Sequence, residues 1–279
     1  MIKKTRSRLT PSGIFEKLYV YLYAAIVILP LYFVVVTAFK TPQEITMAPL
    51  ALPETLQWNN FVEAFKQAEL SKAIWNSIYM STLGVALQMF LVILISYCLH
   101  KLRNHKIGTI LYLIVLAGLY IPKVGHVTQI QLYRDLGIYN TPFALIFSTG
   151  FGGIPFAVFI VAGFLRTIPR ELEEAAELDG CNDWQLVTRV LIPVIKPALV
   201  TVGIFGFTSA WNNATTALLL IRDEELRTVP MALLEFKATY STQYDLLFAG
   251  MLSTGLILVV AYIFCQKYFT QALAGSVKG

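Results

Sequence analysis

The stretch AIWNSIYMSTLGVALQMFLVILISYCLH, Ala73 to His100, runs for 28 residues without an Asp, Glu, Lys or Arg. About 20 apolar residues in a helix cross a hydrocarbon core of roughly 30 Å, so this stretch is long enough to span a bilayer. Outward from it, further uncharged runs lie at 18–39, 107–122, 136–165, 197–221 and 246–266. Five of the six runs reach spanning length; the third has 16 residues and extends if Lys123 snorkels, because Val124–Tyr133 carries no charge either. Charged residues make up 14% of the 279, hydrophobic residues 56%, and the mean hydropathy is +0.63. Soluble domains carry about 25% charge. A soluble core can hold one such run, hardly six. The chain reads as an all-α, polytopic membrane protein with approximate spans 18–39, 73–100, 107–127, 140–165, 197–221 and 246–266.

The first run follows Lys3, Lys4, Arg6, Arg8 and Lys17, as the core of a signal peptide does. Its 22 residues exceed the usual core of about 7–15, and no small-x-small cleavage site follows closely, so it reads as a retained first helix. With both ends cytoplasmic, the inner segments 1–17, 100–107, 166–196 and 267–279 hold 14 of the 22 basic residues and 7 acids, a net of +7. The outer segments hold 8 basic residues and 10 acids, a net of −2. That bias is the positive-inside pattern. The overall +5 therefore follows from topology and does not argue for a nucleic-acid partner.

Cys98, Cys181 and Cys265 are far apart, and His100, His105 and His126 lack metal-ligand spacing; all read as structural residues. No ionisable carboxylate or amine lies inside the runs, whereas ion-coupled carriers bind their ion at depth with such groups. No Gly-x-x-x-x-Gly-Lys-Ser/Thr occurs, so the phosphate cradle of a P-loop ATPase is missing. Uphill transport must then draw its energy through another polypeptide.

The segment between the fourth and fifth runs is Arg166-Thr-Ile-Pro-Arg-Glu-Leu-Glu-Glu-Ala-Ala-Glu-Leu-Asp-Gly180, continuing to Ile192-Pro193. Pro169 suits the first helical position, and Glu171, Glu173 and Glu174 favour that helix end through the dipole. Asp179-Gly180 supplies a stop, Asp183 a cap for a second short helix over Trp184–Leu191, and Pro193 its end. At 100° per residue, Leu172, Ala175 and Ala176 share one side of the first helix, and Glu171, Glu173, Glu174 and Glu177 the opposite arc. Net charge over 170–179 is −4, on the side that is otherwise basic. Such a helix is either a solvated connector or a docking element. Alanines let another surface approach the backbone, and the acids can pair with its Arg or Lys.

Glu174-Ala-Ala, Gly180 and Val190-Leu-Ile-Pro193 resemble the EAA loop of ABC importer permeases, in which the loop forms a coupling helix seated on the nucleotide-binding subunit. Pro155-Phe156, Gly163-Phe164, Ile168-Pro169 and Glu171-Leu-Glu-Glu resemble the run-up to that loop in the carbohydrate-uptake subfamily. Trp58-Asn-Asn-Phe-Val-Glu-Ala-Phe65 is similar to its external segment, and Gln266-Lys-Tyr-Phe with Gly275-Ser-Val-Lys-Gly279 to its tail. The chain most resembles the short permease partner of maltose-type importers. Val190 stands where isoleucine is usual, a mild departure.

The resemblance implies six spans with a cytoplasmic coupling helix between the fourth and fifth. It implies an ATPase-coupling set of Glu174, Ala175, Ala176, Asp179, Gly180 and Pro193, with Gly180 permitting the turn and Pro193 setting the angle to the fifth span. The implied partners are a second permease, two ATPase subunits carrying ATP and Mg, and an extracytoplasmic solute-binding protein, around a bacterial cytoplasmic membrane. The cargo is a sugar or oligosaccharide, with other solutes as the competing expectation. Arg222–Asp245, outside, is the expected contact for the binding protein. Trp211, Asn212, Asn213 and Gln88, with Asn76, are candidates for the substrate path, since an indole stacks on a sugar face and amides bond its hydroxyls. Equally, the amides can bond between helices and Trp211 can belong to an interfacial belt.

Overall fold

The computed structural model describes residues 11–120, 125–237 and 242–276, with side chains of 17–264 outside those gaps and of Gln266. Lys3, Lys4, Arg6, Arg8, Lys123, the Cys265 side chain and the last residues 277–279 lie outside the described residues. In chain order the helices are α1 Pro11–Ala38, α2 Pro42–Met47, α3 Asn59–Gln67, α4 Leu70–Lys101, α5 Lys106–Ala117 and α6 His126–Asp135. There follow α7 Pro142–Gly152, α8 Ile154–Leu165, α9 Arg170–Leu178, α10 Asp183–Gln185, α11 Ile192–Trp211, α12 Ala214–Leu220, α13 Val229–Leu234 and α14 Tyr244–Ser276. Among the described residues the only non-helical pairing is an isolated bridge between Lys237 and Thr242.

Among the described residues four helices are long and apolar enough to cross a membrane: Lys17–Ala38, Leu70–Lys101, Asp183–Trp211 and Tyr244–Phe264. The pair α7 and α8, bent by 44° at Gly153, makes a fifth if it is one broken span. Over the expected third span the described residues give α5, 12 residues long, and then α6 from His126, with 121–124 outside the described residues. Gly118 ends α5, and a continuous helix over 107–127 is not formed. Helices dominate because in hydrocarbon each backbone N–H and C=O must be satisfied within its own segment.

The chain divides into two compact units, one of 1–68 with 233–255 and the other of 69–232 with 256–279. In the first unit, the Trp58-Asn-Asn-Phe motif closes the end of α1. Asn60 Nδ2 donates to the Ala38 and Lys40 carbonyls (3.0 and 2.9 Å), and Phe39 packs edge-on to Trp58 and beside Phe61 at 4.9 Å. Lys40, 1% exposed, donates through Nζ to the carbonyls of Ala48 and Pro49. Glu44 fastens the same segment, accepting from the backbone N–H of Thr41 (2.8 Å) and of Glu54 (2.9 Å). Those two bonds, Thr41 first, hold the Glu44 carboxyl below the usual carboxylate range. A depressed folded pKa means the stabilisation is present above the unfolded value near 4.3 and is lost as pH falls through the folded one. Protection of the Glu54 amide, measured against its intrinsic exchange rate, is therefore expected to fall selectively in acid; protection independent of Glu44 protonation would contradict this.

In the second unit α4 is the central helix, crossed by α7, α8 and α11. The α4–α7 crossing is close because it uses glycine. A Cβ on Gly84 would lie 2.7 Å from Thr149 Cβ and 3.2 Å from the Ile146 carbonyl oxygen, and one on Gly150 would lie 2.6 Å from Leu87 Cδ2. Lipid gives little hydrophobic drive between helices, so close backbone packing through small residues supplies the contact. The break between α7 and α8 falls where Gly153 is followed by Pro155, whose ring and missing N–H interrupt the helical ladder. Toward the α8–α9 end, Val92, Val158, Val161, Leu165, Ala176 and Leu191 share one buried core.

Candidate functional site: the acidic loop and the end of α4

Helix α9 begins one residue later than the sequence suggests: Pro169 is its N-cap, extended at φ −61° and ψ 143°, and Arg170 is the first helical residue. Its end is a Schellman motif. Gly180 adopts φ +81°, its N–H donates to the Glu177 carbonyl, and the Cys181 N–H reaches back to Ala176 at 3.0 Å. Cys181 and Ala176 then pack together in the buried core.

The second helix of the loop corrects two expectations. Asn182, not Asp183, is the cap, in a reciprocal capping box with Gln185 (2.9 and 3.0 Å). Pro193 does not end the helix, which runs without a break from Asp183 to Trp211. A π-helical turn over Leu186–Leu191 precedes the proline, and the Ile192 N–H bonds Val187, five residues back. The wider turn makes room for a ring that would otherwise strike the carbonyl four residues before it.

Which face of α9 turns inward also differs from the helical-wheel expectation. Ala176 is buried, but Leu172 and Ala175 are exposed, and Glu173 turns toward α4 instead of solvent. Its Oε1 lies 2.8 Å from His100 Nε2 and 3.4 Å from Arg103 Nη1. His100 is 2% exposed by side chain, Glu173 19% and Arg103 20%. Beside this cluster, Lys101 Nζ reaches both carboxylate oxygens of Asp183 at 2.7 Å, and Tyr97 donates its hydroxyl to Oδ1 at 2.9 Å. Arg166, where the loop leaves α8, lies 4.3 Å over the Tyr112 ring of α5. The loop is thus fastened to the end of α4 by two separate carboxylates. Glu171, Glu174, Glu177 and Asp179 remain exposed, together with Leu178 (90%) and Trp184 (64%). Bulky apolar side chains held out among acids form a surface suited to a partner with basic and apolar groups.

The sequence pointed to Glu174, Ala175, Ala176, Asp179 and Gly180 and missed Glu173, His100, Arg103 and Asp183 as the anchoring set. The signal available was His100 and Arg103, three apart at the end of a span and so on one helix face.

The other candidates lie along α4 and α11. Gln88 is 3% exposed, and its Oε1 has no hydrogen-bond partner among the described residues. It sits between two glycines, Gly153 at the helix break and Gly206 of α11; a Cβ on Gly206 would fall 2.7 Å from that oxygen. Trp211 is buried and lies beside Phe207, with ring centroids 5.8 Å apart. Asn212 Nδ2 bonds the Thr208 carbonyl, and Asn213 Oδ1 accepts from the Thr216 N–H, capping α12. Both amides serve the break between α11 and α12, and Asn213 also lines a recess in which Ser77 and Ser81 face Ser148 and Thr149. Asn76 straps the 225–227 backbone to α4 through bonds to the Glu225 and Arg227 carbonyls (2.8 and 2.9 Å).

Comparison with known proteins agrees with this architecture. The chain is 32% identical to the probable ABC transporter permease protein YurM of Bacillus subtilis, over 94% of this chain and 87% of that one. It is 30% identical to the diacetylchitobiose uptake system permease protein NgcG of Streptomyces coelicolor, over 92% and 84%. Among solved structures, a bacterial ABC transporter involved in the import of alginate superposes with a TM-score of 0.82 at 21% identity, covering 92% of this chain and 96% of that one, and so shares the fold. The sequence profile of binding-protein-dependent transport system inner membrane components matches residues 43–275. The chain belongs to that family of multi-pass transport permeases.

Proposed function

We propose that the chain is a permease subunit of an ATP-driven ABC importer that moves a sugar or oligosaccharide by alternating access across the bacterial cytoplasmic membrane. The observation that carries this reading is the acidic loop, anchored inward through Glu173 and Asp183 while Glu174, Ala175, Leu178 and Trp184 face out. Such a loop receives force from outside and passes it to α4. The cargo class rests on relatives whose names refer to diacetylchitobiose, arabinooligosaccharides and melibiose, raffinose and stachyose. In this reading six spans cross the membrane, with both termini inside, the segment around α5 supplying the third and the α7–α8 pair the fourth. Coupling runs through Glu174, Ala175, Ala176, Asp179 and Gly180, and α9 is the coupling helix. ATP and Mg sit on two partner subunits, a second permease completes the path, and the outer segment 222–245 meets a solute-binding protein.

Purification of the chain with its native partners and reconstitution into vesicles tests the proposal. ATP-dependent uptake of neutral di- and trisaccharides is expected from the complex, and none from this chain alone. Uptake by the lone chain on an ion gradient, or a complex that takes up only non-sugar solutes, would overturn it.

A further inference from the structure

We propose that this chain carries its own subsite for a neutral, hydroxyl-bearing ligand, namely the recess that Thr228 closes against α4 and α7. The inference rests on the sugar-import reading and names where one hydroxyl of the sugar is held. The recess has room for about 20 Å³, enough for one hydroxyl group or one water, and is formed by Ser77 and Ser81 of α4, Ser148 and Thr149 of α7, Asn213 and Thr228. Among the described residues lining it there is no Asp, Glu, Lys or Arg and no aromatic ring. A charged solute would find no counter-ion there, and a stacked ring no platform. Beside the apolar Met80, Leu145, Ala210 and Ala217, the walls offer hydroxyl groups, each able to donate one hydrogen bond and accept others, which matches the donor–acceptor character of a sugar hydroxyl.

Two features separate this recess from a chance run of small residues. Thr228 is 7% exposed, lines the recess, and its Oγ1 has no hydrogen-bond partner among the described residues. A buried hydroxyl left without a partner is costly, and a ligand hydroxyl relieves that cost. Thr228 is also held in place by its neighbours. Asn76 bonds the Glu225 and Arg227 carbonyls, Lys72 pairs with Glu225 at 2.7 Å, and Ser77 Oγ accepts from the Val229 N–H at 2.8 Å. Gln129 Nε2 donates to Ser148 Oγ at 3.1 Å, which fixes that hydroxyl and leaves its own O–H to donate. The strap, and not the membrane alone, sets the wall of the recess. Ser77 lies about two turns inside the end of α4 that the charge bias places outside, so a ligand delivered from that side meets the recess early.

The test uses the complete reconstituted complex and whichever sugar it imports from a panel of maltose, melibiose, cellobiose and diacetylchitobiose. Thr228→Val keeps the shape and removes the hydroxyl; Ser81→Ala does the same from the facing helix. Each is expected to raise KM for uptake by about 2- to 10-fold, the range of one lost hydrogen bond, with little change in kcat. Ser253→Ala, whose hydroxyl bonds its own helix at Ala249, is expected to leave KM unchanged. A KM unchanged in both recess variants, with wild-type sugar uptake, would make the recess a water site and overturn the subsite while the import function stands. A wild-type complex that imports none of these sugars overturns both. Loss of kcat at constant KM would assign the recess to helix packing and also overturn it.

Discussion

Replacing Gly180 with valine is expected to lower ATP-driven uptake by the assembled complex about tenfold or more, while the chain still inserts and assembles. Gly180 holds φ +81°, and an L-residue in the left-handed region costs roughly 1–2 kcal/mol, with β-branched residues at the upper end. Nothing lies within 4 Å of a Cβ built there, so the penalty is one of backbone conformation and not of space. To escape it the chain must leave the left-handed turn, which breaks the Gly180-to-Glu177 and Cys181-to-Ala176 bonds and swings the end of α9. Glu174 and Ala175 would move with it, off the surface they are proposed to meet. The effect should be graded by conformation. Asparagine tolerates the left-handed region and should retain most activity, alanine should be intermediate, and valine lowest. The measurement is uptake alongside substrate-stimulated ATPase activity in vesicles. Equal uptake by the asparagine and valine variants would remove the turn from the coupling mechanism.

Much of the fold was legible because hydrocarbon excludes charge: the uncharged runs at 18–39, 73–100 and 246–266 coincide closely with long helices. The runs at 107–122, 136–165 and 197–221 show where that rule stops. It reads polarity, but not the backbone breaks at Gly118, Gly153 and Asn212–Asn213, which depend on local turns and on what packs alongside. Pro193 was read as a terminator, yet a π turn upstream absorbs it; whether a proline breaks or bends a helix depends on tertiary support. The Glu173 error has a different origin. Periodicity tells which residues share an arc, but not which arc faces the protein when both carry something worth burying. Here the His100 and Arg103 pair at the end of α4 outweighed the Leu172 and Ala175 strip, because Arg103 would otherwise sit largely enclosed without a counter-charge.

That cluster makes Glu173 the anchor whose loss should be felt most. Glu173→Lys would set an ammonium against the Arg103 guanidinium and the His100 ring at side-chain exposures of 2–20%, where solvent screening is weak. Breaking a fully buried pair costs 3–5 kcal/mol; for these partly enclosed side chains about 2 kcal/mol is a fair scale, a roughly thirtyfold shift away from the fastened arrangement. Uptake is expected to fall by more than tenfold, because α9 would still reach a partner but no longer move α4. Glu173→Gln keeps an acceptor for His100 and should lose far less. The exposed pair beside it supplies the contrast. Lys101 and Asp183 are 56% and 63% exposed by side chain, and such pairs contribute under about 1 kcal/mol, so Lys101→Ala should change uptake less than about fivefold. Adding Arg103→Glu to Glu173→Lys restores opposite charges across the contact and should recover part of the loss. If Glu173→Lys transports normally, or Lys101→Ala fails as badly, then the force from the loop does not pass through the buried contact with α4, and the exposed ends of the loop must carry it instead.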